Sequence, residues 1–153
     1  MRFALYNDIS EVNSLERKVV LASHGKFASG ILSSLELICG TSDQVEAIDC
    51  YIEEDFDLVE TVRNIMEVYS KDELIVITDL FGGSVNNEFL QYIEQPNFYL
   101  VAGLNLLFLI ELMTKIESHG DISAIIIESL DNAKKSMQLC NESYHKDLEE
   151  EDF

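Results

Sequence analysis

Val19-Val20-Leu21-Ala22-Ser23-His24-Gly25-Lys26 is the stretch on which the fold turns. Its apolar, Val-rich run over Lys18–Ser23 reads as a strand buried on both faces. His24 follows at once, and Gly25 lets the backbone swing into the next element. In an open parallel sheet, ligands and chemistry sit outside the carboxyl ends of the strands. A histidine at such a place is a candidate reactive imidazole. Its ordinary reading is a loop residue hydrogen-bonded to its neighbours, so the rest of the chain has to decide.

Downstream, Phe27–Cys39 carries Ile31, Leu32, Leu35 and Ile38 at helical spacing, and Gly40 closes it. Val45–Tyr51 is a second strand. Glu53–Asp57 places negative charge at the start of a second helix, with Leu58, Val62, Ile65, Met66 and Tyr69 as its inward stripe. Glu73–Thr78 is the clearest strand, and Asp79-Leu80-Phe81-Gly82-Gly83-Ser84 follows it. A third helix over Val85–Glu94 is broken by Pro96-Asn97. Phe98–Ala102 is a fourth strand, and Asn105 caps a fourth helix that runs through Lys115. His119-Gly120-Asp121 is a turn, and Ile122–Cys140 is amphipathic.

Strands alternating with helices predict an α/β fold: a mainly parallel four-stranded sheet in three layers, with right-handed crossovers. The commonest small arrangement sets strand 1 between strands 2 and 3, order 2-1-3-4. The loops after strands 1 and 3 then flank the point where the crossovers diverge. Residues 1–17 read as a leader without clear period, in which Phe3–Tyr6 is compatible with a short strand. The domain spans 18–140, and 141–153 form an acidic tail expected to be frayed or solvated.

Composition narrows the functional classes. The 153 residues are 47% hydrophobic with a single proline, so a folded core is expected. A net charge of -19 argues against binding nucleic acid or anionic lipid, and permits a basic protein partner. Cys39, Cys50 and Cys140 show no metal-ligand spacing and read as reduced thiols. Neither a membrane-length apolar run nor a secretory signal is evident, which makes the cytoplasm the expected compartment.

The topology brings His24 beside Asp79, 55 positions away. An aspartate that accepts from one ring nitrogen fixes the tautomer and leaves the other nitrogen as a nucleophile. A phosphoryl group suits this place. The N–H groups around Gly25–Phe27 and Gly82–Ser84 can hold its oxygens, Gly82 and Gly83 allow close backbone approach, and Ser84 adds a hydroxyl. His119 and His145 read as surface residues, Cys50 as core, and Asp49 as a loop residue. The chain lacks a Walker-type loop, a dinucleotide fingerprint, a nucleophile elbow and a metal cluster.

Three motifs together, Leu21-Ala22-Ser23-His24-Gly25, Ile77-Thr78-Asp79-Leu80-Phe81-Gly82-Gly83-Ser84 and Val101-Ala102-Gly103-Leu104-Asn105, resemble the mannose-type IIA component of the phosphoenolpyruvate-dependent sugar phosphotransferase system. The resemblance runs from about Lys18 to about Cys140. It implies that His24 is phosphorylated by the carrier HPr and passes the group to a IIB domain. That domain phosphorylates a sugar entering through membrane IIC and IID components. It also implies that Asp79 orients His24 and that Gly82, Gly83 and Ser84 help hold the phosphoryl group; no cofactor or metal is expected. The family sheet often carries an extra antiparallel strand exchanged within a homodimer. Here that strand would fall near His119–Ile127, so two readings stand: a short strand at Ile122–Ile127 with a helix from Glu128, or an unbroken helix.

Val85 stands where the family usually has Pro after Gly-Gly-Ser, and Asn105-Leu106-Leu107 replaces its Asn-x-Pro. Similar domains also donate phosphate in dihydroxyacetone kinase systems, or report sugar status to transcription activators. These are the alternative functions.

Overall fold

A computed structural model describes residues 15–151. The reading of a short strand at Phe3–Tyr6, and most of the leader, lies outside them. The described chain runs β1 (Arg17–His24), α1 (Phe27–Cys39), β2 (Val45–Cys50), α2 (Leu58–Val68), β3 (Glu73–Thr78), α3 (Ser84–Leu90), β4 (Phe98–Ala102), α4 (Leu106–Lys115), α5 (Ile122–Ser136) and α6 (Cys140–Glu151).

The four strands form one all-parallel sheet of order β2-β1-β3-β4. Val19 is in register with Val45 and Ile75, and Leu21 with Ala47 and Ile77. Successive side chains in a strand point to opposite faces, and the core divides accordingly. Val19, Leu21, Ile75 and Ile77 pack with Leu35 of α1, Phe108, Leu109 and Leu112 of α4 and Ile122 of α5. Val20, Ala22 and Val76 pack on the other side with Val62 and Met66 of α2 and Val85 and Phe89 of α3. Two apolar faces covered by helices make the three layers, and both central strands read as unbroken apolar runs for that reason.

The segment that the sequence left open is helix. Asp121 accepts from the N–H groups of Ser123 and Ala124 and starts α5 at Ile122. Ile122, Ile125, Ile126, Ser129 and Ala133 are its buried residues, a spacing that only a helix puts on one face. The β-branched run Ile125-Ile126-Ile127 favours a strand locally, and packing against α4 overrides that preference. The reading of a strand at Ile122–Ile127 is therefore corrected, and so is the single helix to Cys140. The chain breaks after Ser136 and resumes as α6, so the residues expected to fray are helical through Glu151. α3 also stops at Leu90, short of the expected Glu94, and turns lead to Pro96.

Arg17 opens β1 and fastens the amino end of the sheet. Its Nε donates to Glu73 of β3 at 2.8 Å. Nη1 donates to the carbonyls of Ile116 and Ser118, and Nη2 to that of Gly120. One guanidinium thus satisfies the carbonyls left over where α4 ends.

Candidate active site

The carboxyl ends of β1, β2 and β3 converge on His24. Ser23, fully buried, shapes the turn: its hydroxyl accepts from the N–H of Ala28 at 2.7 Å and donates to the carbonyl of Gly25. Gly25 takes φ of 59°, in the left-handed region that favours glycine. Its N–H donates to the carbonyl of Cys50, so Gly25 contributes the turn and its own N–H is not free for a ligand. The side chain of His24 is left 44% exposed.

Asp79, directly after β3, meets His24 twice. Its Oδ2 accepts from the backbone N–H of His24 at 2.9 Å and lies 2.9 Å from Nδ1. A carboxylate can only accept, so Nδ1 carries the hydrogen and Nε2 of the neutral ring carries a lone pair. Nε2 lies 3.2 Å from Ser84 Oγ. Gly83 sits close behind the ring: a Cβ there would come within 3.4 Å of His24 Cε1 and 3.3 Å of the Leu80 carbonyl. Gly82, with φ of 75°, makes the turn that brings Ser84 around.

Two asparagines hold that turn. Buried Asn86 accepts from the Gly82 N–H and donates to Thr78 Oγ1, while Asn87 donates to the Gly82 carbonyl. The loop is fixed without a proline after Ser84. The N–H groups of Ser84 and Val85 find no backbone acceptor among the described residues.

Residues around β2 contribute more than the sequence announced. Asp49 accepts from the N–H and the hydroxyl of Ser29, at 3.0 and 2.6 Å, so it caps the first turn of α1. Tyr51, absent from the sequence-derived site, stacks on His24 with ring centroids 5.5 Å apart, and its hydroxyl lies 2.9 Å from Ser84 Oγ. Its φ of 64° is uncommon for a residue with a side chain. Nothing in the sequence marks a lone tyrosine after a strand as special.

Cys50 is buried beneath the site. Burial, helped by the charges of Asp79 and Asp49, pushes its thiol up to about 11. His119 and His145 lie exposed, in the loop before α5 and on α6, away from this constellation. Among the described residues no cluster of His, Cys, Asp and Glu could hold a metal ion. Phe81 (87% exposed), Leu80, Tyr51 and Ile52 on the loops around His24, with Phe27 at the start of α1, offer apolar surface. No helix among the described residues is long and apolar enough to cross a membrane.

The family model described as the fructose IIA component of the phosphotransferase system matches residues 18–129. Among solved structures, a Klebsiella pneumoniae protein assigned as a phosphoenolpyruvate-dependent sugar phosphotransferase system permease is 40% identical, with a TM-score of 0.83. That match covers 92% of this chain and 99% of that one. A IIA protein associated with the fucose utilization operon of Streptococcus pneumoniae is 28% identical over 86% of this chain and 98% of its own, with a TM-score of 0.70. A phosphotransferase system component EIIA from Streptococcus agalactiae shares the fold at 23% identity, with a TM-score of 0.71 over 81% of this chain and 97% of its own.

Proposed function

This chain belongs to the mannose-type IIA components of the phosphoenolpyruvate-dependent sugar phosphotransferase system, and from that premise we propose that it is a phosphoryl carrier acting through Nε2 of His24. HPr supplies the group and a IIB domain takes it, ahead of the membrane IIC and IID components that admit the sugar. The chain works in the cytoplasm as a homodimer built on the 18–140 domain. Among the described residues no strand pairs with the outer edge of β4, and this edge with exposed Leu90, Ile93 and Ile127 supports self-association.

The observation that carries the reading is the orientation of His24. Asp79 holds Nδ1–H, so the nucleophilic lone pair sits on the nitrogen that faces Ser84. In the transfer, that lone pair attacks phosphorus, and the bond that holds phosphorus to the donor protein breaks with its electron pair returning to the donor. The Nδ1 proton stays on His24, and the Asp79 carboxylate balances the charge that the phosphorylated ring acquires. Ser84 Oγ and the N–H groups of Ser84 and Val85 are the donors available to the phosphoryl oxygens. The apolar rim of Phe81, Leu80 and Ile52 gives a protein partner a surface to meet, and the net charge of -19 favours a basic one.

The test is incubation with phosphoenolpyruvate, enzyme I and HPr. The wild type should acquire acid-labile phosphate and His24→Ala should not. No label on the wild type, or equal label on His24→Ala, would overturn the reading.

A further inference from the structure

The hydrogen bonds around His24 form a chain whose direction can be deduced. Asp79 accepts from Nδ1–H, so in the neutral ring, the nucleophilic form, Nε2 accepts from Ser84 Oγ–H. With its hydrogen so used, Ser84 Oγ is left to accept, and the group 2.9 Å from it is the Tyr51 hydroxyl, which therefore donates. Tyr51 is the terminal donor of the chain Tyr51–Ser84–His24–Asp79. Hydrogen bonds in such a chain polarise one another, which makes Ser84 a better donor than it would be alone.

Two further observations show how Tyr51 is held in place. Its ring is packed between His24, at 5.5 Å and nearly parallel, and Phe56, at 5.1 Å and edge-on. Its backbone adopts φ of 64° directly after β2. Such a conformation persists in a residue with a side chain only where the surroundings enforce it, and such residues cluster at functional sites.

We infer that Tyr51 is a positioning residue for phosphoryl transfer: its hydroxyl orients Ser84 to donate to Nε2 before transfer and to a phosphoryl oxygen after it. The inference rests on the carrier reading of His24. While the ring is free, Ser84 Oγ–H points at the nucleophile. As the N–P bond forms, the lone pair of Nε2 is consumed and the same O–H turns to the incoming oxygen. Tyr51 donates to Ser84 in both states, so the serine does not have to find a new partner during transfer.

The experiment compares the wild type with Tyr51→Phe, Ser84→Ala and the double variant. It reads the rate of phosphoryl acceptance from phosphorylated HPr and the 15N resonance of His24 Nε2 in the unphosphorylated protein. Tyr51→Phe keeps the stacked ring and removes only the donor, and its rate should fall about 5-fold, the worth of one hydrogen bond. The double variant should be no slower than Ser84→Ala, because Tyr51 acts through that serine. In Tyr51→Phe and Ser84→Ala the Nε2 resonance should move in the same direction, toward that of a nitrogen accepting no hydrogen bond. A Tyr51→Phe protein with wild-type rate and resonance would overturn the inference, and so would effects that multiply in the double variant. A wild type that takes no phosphate overturns the carrier reading and the role of Tyr51 in transfer with it; that outcome is told apart by appearing before any variant is made.

Discussion

A single oxygen of Asp79, Oδ2, lies 2.9 Å from both the backbone nitrogen and Nδ1 of His24. The backbone contact fixes where the carboxylate stands, and the ring contact fixes where the imidazole points. The other oxygen, Oδ1, is buried and has no hydrogen-bond partner among the described residues. Both contacts that position the aspartate are therefore made by Oδ2 alone.

Asp79→Asn should preserve the fold and slow phosphoryl transfer. The amide oxygen can still accept, but the negative charge that balances the phosphorylated ring is gone. Hydrogen bonds to charged groups are worth about 1.5–3 kcal/mol, so the rate should fall roughly 10- to 150-fold. Quench-flow transfer from phosphorylated HPr measures this. Wild-type rates would reduce Asp79 to a loop cap.

Arg17→Ala should destabilise the chain without touching the site. The guanidinium, 14% exposed, serves Glu73 and three carbonyls at the end of α4, and all four acceptors lose it together. Removing one partner of such a pair costs about 3 kcal/mol. Urea denaturation should show a lower midpoint with an unchanged slope. A loss below about 0.5 kcal/mol would mean that water replaces the arginine.

Ser129→Ala should stabilise. The Ser129 hydroxyl is fully buried on α5 and has no hydrogen-bond partner among the described residues. Alanine removes the unsatisfied group and improves helix propensity, a gain of about 1 kcal/mol. A higher denaturation midpoint is expected; an unchanged or lower one would point to an acceptor or a packing contact that the hydroxyl supplies.

The three thiols should divide by reactivity. Cys39 and Cys140 are exposed, whereas Cys50 is buried with its thiol pushed up to about 11. At pH 8 an aromatic disulfide reagent should titrate two thiols in the native protein and three in denaturant. The same shift sets a sign. The folded value lies above the ordinary thiol value of about 9, so the contribution of Cys50 to stability is complete below that pH and is lost as pH rises through about 11. Tyr69 adds to this: burial, with the Glu46 carboxylate that accepts its hydroxyl, pushes it up to about 12. Stability should therefore decline between about pH 9 and pH 12, and Tyr69→Phe should shallow the upper part of that decline. Three reactive thiols in the native protein would contradict the burial of Cys50.

The sheet was readable because both its central strands are unbroken apolar runs, and because glycines and Asp79 mark where they stop. Alternation of strands and helices then sufficed to bring His24 and Asp79 together. What escaped has physical reasons. Ile125-Ile126-Ile127 satisfies strand propensity and helical packing at once, and only the Asp121 cap and the face presented to α4 decide it. Tyr51 reaches Ser84 through a left-handed backbone that no residue type announces. Asn86 reads as an ordinary polar residue at a helix start, yet it is buried and braces Gly82. Asp49 reads as a loop residue, yet it is the penultimate residue of β2, and its partner, Ser29, lies in another element.

The enclosure of the His24 ring has a kinetic consequence. Asp79 holds one nitrogen, Tyr51 covers one face and Gly83 stands close to Cε1, so the Nε2 edge is the doorway. On the proposed function, the protein that delivers the phosphoryl group and the protein that removes it must use this same doorway in turn. They cannot be bound at His24 together. Exchange should then follow ping-pong kinetics, with parallel double-reciprocal lines, and an excess of either unphosphorylated partner should inhibit by occupying the place of the other.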